Sequence, residues 1–438
     1  MISTIGFHTF TISRSISQET ATSIFEDFKK YRDETGEIEI IGPIKYDIDP
    51  NGRHCEIVYP HKFKGITWKI RFSDRGFMVD GEYKSCSIKA TINPKVLAGE
   101  RTYIVAANAG YLEKVEKVFN LEAKKISPLL GKFHNYSLNR LDYCINFNVK
   151  ELYPECSPEL LEKLSEYIME LIKRADIPNY YTEEYRKEYQ FYLKCRSMTI
   201  NCYLKYYELY EKFPDCPDLE DSRYIIRFET QFKYPKVYSK SKKIKEQIAD
   251  SHAMLTDKLT KQGFYKFYEN ENEIDRAAMF EELKEMSASK LILFKKIMSD
   301  SMCAEVIKYY VKRVIKPGDY FSFDVAKNII ESRVSKWEKV TRLVDTLKLI
   351  DQCSGISKAK ATLQGKELEN FRRSLRELAE IGVNPVVIPE EWGISQIPHL
   401  LDTYYNKIQN GNMPLTYGMK YEIENYNENK GYVNLFDS

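Results

Sequence analysis

Three stretches with a two-residue repeat constrain this chain more than any other feature. In Tyr136–Val149, Leu141, Tyr143, Ile145, Phe147 and Val149 fall on one side of an extended backbone; Arg140, Asp142, Cys144, Asn146 and Asn148 fall on the other. Ser222–Lys233 sets Tyr224, Ile226, Phe228 and Phe232 against Arg223, Ile225, Arg227, Glu229 and Gln231. Thr199–Lys205 sets Ile200, Cys202 and Leu204 against Asn201, Tyr203 and Lys205. A helix would scatter these sets around its circumference, so each stretch reads as a strand. Strands with one apolar and one charged face build antiparallel sheets that carry helices on one side and are open on the other. If the strands neighbour one another, Lys89, Arg140, Asp142, Tyr203, Lys205, Arg227 and Glu229 line a common open face.

Shorter strand-like runs occur at Ile2–Ser13, Glu37–Ile41, Cys55–Tyr59, Ile66–Phe72, Gly76–Val79 and Ser85–Ile92, separated by Gly, Pro, Asn and Asp. Helices are expected over Gln18–Arg32 behind a Ser17 cap, over Tyr111–Leu130, and from a Ser157 cap to about Arg174. Tyr185–Leu193 and Met198–Tyr206 read as a hairpin. Beyond Lys233 the texture changes. Lys233, Lys236, Lys240, Lys242, Lys243 and Lys245 lead into helical stretches at Asp275–Met298, Ala304–Val314, Phe323–Ser332, Ser335–Asp351 and Lys366–Ile381, the last stopped by Gly382.

The expected fold class is therefore α+β. Residues 1–235 would form the sheet domain with an open polar catalytic face. Residues 236–316 would be a helical linker that contacts DNA. Residues 317–438 would be a helical C-terminal domain for DNA recognition or partner binding, with Thr341–Ile350, Gly355 and Lys366–Ile381 patterned like a helix-turn-helix, as in any long helical bundle.

Composition excludes several classes. The 66 basic and 64 acidic residues leave a net charge of +2, so attraction to nucleic acid must be local. Nine scattered cysteines with no C-x-x-C pair fit a reducing cytoplasm better than a disulfide framework or a zinc site. No apolar run approaches the ~18 residues of a membrane span, so no membrane partner is expected.

Five short blocks stand out in order: Gly65–Ile70, Ile88–Gly99, Asn139–Asp142, Tyr203–Leu209 and Arg227–Glu229. Their sequences, Gly-Ile-Thr-Trp-Lys-Ile, Ile-Lys-Ala-Thr-Ile-Asn-Pro-Lys-Val-Leu-Ala-Gly, Asn-Arg-Leu-Asp, Tyr-Leu-Lys-Tyr-Tyr-Glu-Leu and Arg-Phe-Glu, resemble those of the replication initiator endonuclease, the gene II protein, of filamentous bacteriophages. More distantly they look like blocks of plasmid and conjugative-element rolling-circle initiators. The resemblance spans roughly residues 60–235. It implies a site-specific nickase that keeps a 5′ phosphate on a tyrosine, frees a 3′ OH for the host polymerase, and later rejoins the displaced strand. It implies Tyr203 as nucleophile and phage or plasmid origin DNA as partner, with the host replication helicase and polymerase following and a dimer on the origin. A non-catalytic origin-binding protein and a plasmid or conjugative relaxase are the alternatives.

The chemistry asks for the same residue types. A phenol with a pKa near ~10 is a poor nucleophile at neutral pH and needs a cation, metal or base beside it. Lys205 is the cation at hand. Phosphoryl transfer favours a divalent cation, Mg²⁺ or Mn²⁺, on hard oxygen ligands; Asp142 and Glu229 are the carboxylates expected to hold it, with Glu208 a third. Lys89, Arg140 and Arg227 would clamp phosphate, and Lys236, Lys240, Lys242 and Lys243, interleaved with Tyr234 and Tyr238, would track the DNA backbone. The six histidines include no His-hydrophobe-His pair; His61 is read as a surface group or a lone shuttle. Asn146 stands where some plasmid initiators place a second acid. Tyr207 is read as structural or as a DNA contact.

Overall fold

The computed structural model describes residues 4–45, 53–59, 64–73, 77–79, 82–100, 102–176, 181, 183–187, 189–245 and 290–409. The chain opens with β1 (Thr4–Ile16) and α1 (Gln18–Thr35), whose first turn is capped as expected by the Ser17 hydroxyl accepting the Thr20 amide. Then come β2 (Glu39–Lys45), β3 (Arg53–Val58), β4 (Ile66–Phe72), a small hairpin of β5 (Phe77–Val79) and β6 (Glu82–Lys84), and β7 (Cys86–Ile92). The short α2 (Pro94–Leu97) and longer α3 (Leu112–Ile126) lead to β8 (Ser137–Asn148), α4 (Val149–Leu152) and α5 (Pro158–Lys173). β9 (Glu183–Lys187), β10 (Gln190–Lys194), β11 (Met198–Leu204), α6 (Lys205–Lys212) and β12 (Ile225–Phe232) complete this part.

Ten strands form one sheet in the order β2-β3-β4-β7-β1-β8-β12-β11-β10-β9, every neighbour antiparallel. The three patterned stretches lie side by side at its middle as β8, β12 and β11. Their apolar faces, including Tyr143, Ile145, Phe147, Ile200, Ile226 and Phe228, are buried. They share one core with Ile24 and Phe28 of α1, Val115 and Phe119 of α3, Ile168 and Ile172 of α5, and Val306, Ile307 and Tyr310 of helix Asp300–Val314. That last helix lies on β1, β8 and β12, and the Tyr143 hydroxyl donates to the Ile297 carbonyl at 2.8 Å. The segment 236–316 therefore does not stand apart as a linker where it is described. Its residues 290–314 complete the sheet's helical layer, because the apolar faces of β1, β8 and β12 need that cover.

Helices Phe323–Arg333, Trp337–Gln352 and Gly365–Glu380 enclose a second core of Ile330, Leu343, Leu347 and Leu378. Gly382 (φ 73°) ends the last of these, as the sequence suggests. Lys316 and Lys360 reach Asp176, just beyond α5, at 3.0 and 3.3 Å. Of the helix expected at Asp275–Met298, only the part from 290 falls within the described residues; His61 falls outside them.

Gly65 and Lys95, from two of the five sequence blocks, hold the scaffold together. A side chain on Gly65 (φ 78°) would sit 2.3 Å from the Leu97 amide, so only glycine lets the start of β4 run against α2, and the Asn93 amide donates to the Gly65 carbonyl at 2.8 Å. Lys95, in the second block, is buried and donates to the carbonyls of Thr102 and Val105 at 3.0 and 3.2 Å. It staples the 102–105 segment across one end of the central strands. Lys95→Met is expected to lower stability by about 1–3 kcal/mol, because these acceptors lose a charged donor; a denaturant midpoint measures it.

Candidate active site

β8, β12 and β11 put their polar faces together by register. Glu229 pairs with Asn201 on one side and Cys144 on the other, and Arg227 pairs with Tyr203 and Asn146. Asn201, Tyr203, Arg227, Glu229, Asn146 and, four residues back along β8, Asp142 therefore share one patch. Part of it opens into a cavity of about 370 Å³ whose lining includes His8, Arg140, Asp142, Tyr203, Glu208 and Glu229. Asp142, Arg227, Glu229 and Lys205 are each at most 3% exposed. The face expected to be open is thus covered at its centre: the 102–105 segment lies over one end, and α6 borders the cavity.

Lys205 departs from expectation in conformation. β11 ends at Leu204 and Lys205 begins α6, so the two-residue repeat does not place it beside Tyr203. The helical turn returns its Nζ to 5.9 Å from the Tyr203 ring centre, and it pairs with Glu208.

The Tyr203 hydroxyl donates to Glu229 Oε1 at 2.9 Å. Burial, then the charges of Glu208 and Glu229, hold the phenol well above its usual pKa, so it needs a proton acceptor to react. Glu229 offers one. Burial pushes its carboxyl up, but the His8 hydrogen bond and the Arg227 charge outweigh this and bring it down to about 2. His8 Nδ1 lies 3.2 Å from the same oxygen. Burial and Arg227 hold the imidazole below its usual pKa, so near neutral pH it acts as a neutral donor to Glu229. Burial also brings Lys205 down to about 8, helped by nearby Arg227 and opposed by Glu208.

His8 is a site residue that the strand pattern missed. β1 pairs Phe7 with Tyr143 and then Phe10 with Leu141, leaving His8 and Thr9 together opposite Asp142. This is a β-bulge, which re-aims side chains. It turns His8 toward Glu229, and Thr9 donates to Asp142. The signal was in the sequence as a phase slip. Phe7 and Phe10 are three apart yet both buried on the apolar face, which an unbroken strand forbids.

Arg227, expected to clamp phosphate, is 0% exposed. Its Nε donates to Asn146 Oδ1 at 2.6 Å, one terminal nitrogen donates to the Tyr103 carbonyl at 2.8 Å, and the other lies 3.6 Å from Glu229. It braces the site from beneath. Arg140, by contrast, lines the cavity with 38% of its side chain exposed while its Nε holds Asp142 at 2.7 Å. Asp142 is raised above its usual pKa by burial, against the pull of Arg140.

Asp142, Glu208 and Glu229 do line one cavity, as expected of cation ligands. Yet Asp142 is bound by Arg140 and Thr9, Glu208 by Lys205 and Lys212, and Glu229 by His8 and Tyr203. Among the described residues no three acid, His or Cys groups converge into a ligand set. As arranged, these carboxylates are engaged by cations and hydroxyls and do not fit a divalent-metal shell.

Lys89 shares the sheet face of Arg140 but lies on β7, with β1 between them, and does not line the cavity. Burial, then Arg71 and Lys69, hold its pKa down. Lys236, Lys240, Lys242 and Lys243 fall on a helix at 234–245, beyond the end of β12 remote from α6. Val237 and Ile244 anchor that helix in the core, with Lys240 buried, Lys242 exposed, and Tyr234 and Tyr238 exposed.

Among the described residues no helix is long and apolar enough to cross a membrane. No protein-family model matches this chain, and no curated protein matches it. Among solved structures it is similar to a rolling circle replication initiator protein from Geobacillus stearothermophilus, at 9% sequence identity and a TM-score of 0.24, over 53% of this chain and 76% of that one. A likeness at that level assigns no residue a role.

Proposed function

We propose that the protein is a site-specific nicking and rejoining enzyme for single-stranded DNA at a phage or plasmid replication origin, with Tyr203 as nucleophile. The observation that carries this reading is the Tyr203 hydroxyl, buried, bonded to a carboxylate held ionised, and set in a cavity with Arg140 at its wall. In the proposed step Tyr203 Oη attacks the scissile phosphorus while its proton passes to Glu229. The bond to the 3′ oxygen breaks, that oxygen takes up a proton from water, Glu229 at its low pKa returns its proton to water, and the 5′ phosphate stays on Tyr203. The phosphotyrosine ester keeps the energy of the broken bond, so reversal reseals a strand without ATP. Lys205 adds positive potential for the developing charge, and Arg140 is placed to meet the phosphate. The freed 3′ OH would serve the host polymerase behind the host helicase, with two copies on the origin.

The direct test is transfer of a labelled origin-strand oligonucleotide to the protein on a denaturing gel, with the linkage mapped to a peptide. Linkage at any residue but Tyr203 overturns the assignment. The same gel with and without chelator reads whether the reaction takes a divalent cation such as Mg²⁺ or Mn²⁺, for which Asp142, Glu208 and Glu229 as arranged form no shell. Adduct formation is also expected to decline as pH rises through about 8, where Lys205 loses its charge. Lys205→Met should be slower throughout and lack that limb in a pH–rate profile.

A further inference from the structure

We propose that Tyr189, Tyr207, Tyr206 and Tyr210 form a stacking platform that holds unpaired DNA bases beside the cavity. The inference takes its purpose from the proposed Tyr203 chemistry, while its geometry stands independently.

Tyr189 and Tyr207 both line the cavity that contains Tyr203, with their rings stacked at 3.4 Å and 12°. Tyr206 meets Tyr207 edge-on at 5.4 Å and 84°, and lies nearly parallel to Tyr210 at 6.0 Å and 21°. The spacing follows from α6: residues four apart share a face, so Tyr206 and Tyr210 align along the helix. The rings are also held in place. Arg223 lies 4.1 Å over the Tyr206 ring and donates to its hydroxyl at 3.1 Å, and the Tyr207 hydroxyl donates to Glu166 at 3.3 Å.

The run therefore leads from the cavity to solvent, ending at Tyr210, which is 58% exposed. A ring that exposed gains little from the core, so packing does not explain it. Charge does not explain it either. Glu208, Glu211 and Glu220 offset Lys212 and Arg223 around the run, which leaves no net pull on a phosphate backbone. Ring faces are what the surface offers, and unpaired bases present complementary faces that duplex DNA keeps stacked inside. A nicking site that must hold a displaced or melted strand needs such a grip next to its nucleophile.

The test uses the full chain carrying Tyr203→Phe, so that binding is read without turnover, and follows fluorescence anisotropy of labelled mixed-sequence strands of about 12 nucleotides, within the range that one binding surface covers. Adding Tyr210→Ala should weaken binding about 5- to 150-fold, the range for loss of one base–aromatic stack, while Tyr210→Phe should bind like the parent. Binding to an abasic strand of equal length and to a duplex should not change. The fold-loss should be the same at low and high salt, because no phosphate contact is removed. Equal losses on the abasic strand, or no loss on the normal one, would overturn the platform. Adduct formation by the wild type is scored separately. Base-dependent binding with no adduct keeps the platform and removes the enzyme; an adduct with Tyr210-independent binding does the reverse.

Discussion

Tyr203→Phe is expected to abolish the covalent protein–DNA adduct, to below detection on a denaturing gel, while the protein stays folded. The phenol oxygen is the group that would form the bond to phosphorus. Tyr207, four residues on and at the spacing of a two-tyrosine mechanism, instead bonds Glu166 and stacks on Tyr189. The ring itself stays, so its packing is retained. The fold loses one hydrogen bond, that from Tyr203 to Glu229, worth about 1–2 kcal/mol when the acceptor is charged and still has other donors. Glu229 keeps His8 at 3.2 Å and Arg227 at 3.6 Å. A soluble variant with an unchanged far-ultraviolet spectrum and an undiminished adduct would sink the assignment of Tyr203.

Arg227→Met is expected to give the largest loss of stability of any single change at the site, about 3–5 kcal/mol, because it takes the buried cation from Glu229 and a donor from two further buried acceptors. Asn146 Oδ1, the Tyr103 carbonyl and Glu229 all lose the same partner. Denaturant unfolding near neutral pH reads the loss directly. Its pH dependence identifies the cause. Glu229 is lowered from its usual 4.5 to about 2 in the fold, so its contribution is present above about 4.5 and fades as pH falls toward 2. Arg227 supplies part of that lowering. The gap between wild type and variant should therefore be widest above about 4.5 and narrow in acid; a gap independent of pH would mean that Arg227 acts only through packing and its hydrogen bonds to Asn146 and Tyr103.

Some of this was legible residue by residue. The alternation in Tyr136–Val149, Thr199–Leu204 and Ser222–Lys233 separates Asp142, Asn146, Asn201, Tyr203, Arg227 and Glu229 from the core, and all six share the polar patch on adjacent strands. The Ser17 and Ser157 caps begin their helices where expected. What was not legible is depth. Arg227 reads as an exposed cation because a strand pattern reports only which face a residue occupies. Its cover comes from residues 102–105, more than a hundred positions earlier, pinned by Lys95. Among the described residues the three expected metal ligands do not converge, for a similar reason: three acids can be assigned to one face without knowing that each already has a cation or hydroxyl.

By itself, then, the sequence determined which side chains leave the sheet on its polar side, because a period of two is a property of each backbone segment alone. It also carried, in the spacing of Phe7 and Phe10, the slip that marks the bulge. Only the tertiary structure decided that β1 lies beside β8, that the bulge faces Asp142, and that His8 therefore meets Glu229, the carboxylate that also accepts from Tyr203. It also decided that Arg227 is a buried brace and that Lys205 approaches Tyr203 from a helix. Those outcomes depend on long-range pairing and on what covers the sheet, and the free energy of such contacts is spread over distant segments rather than written in any one of them.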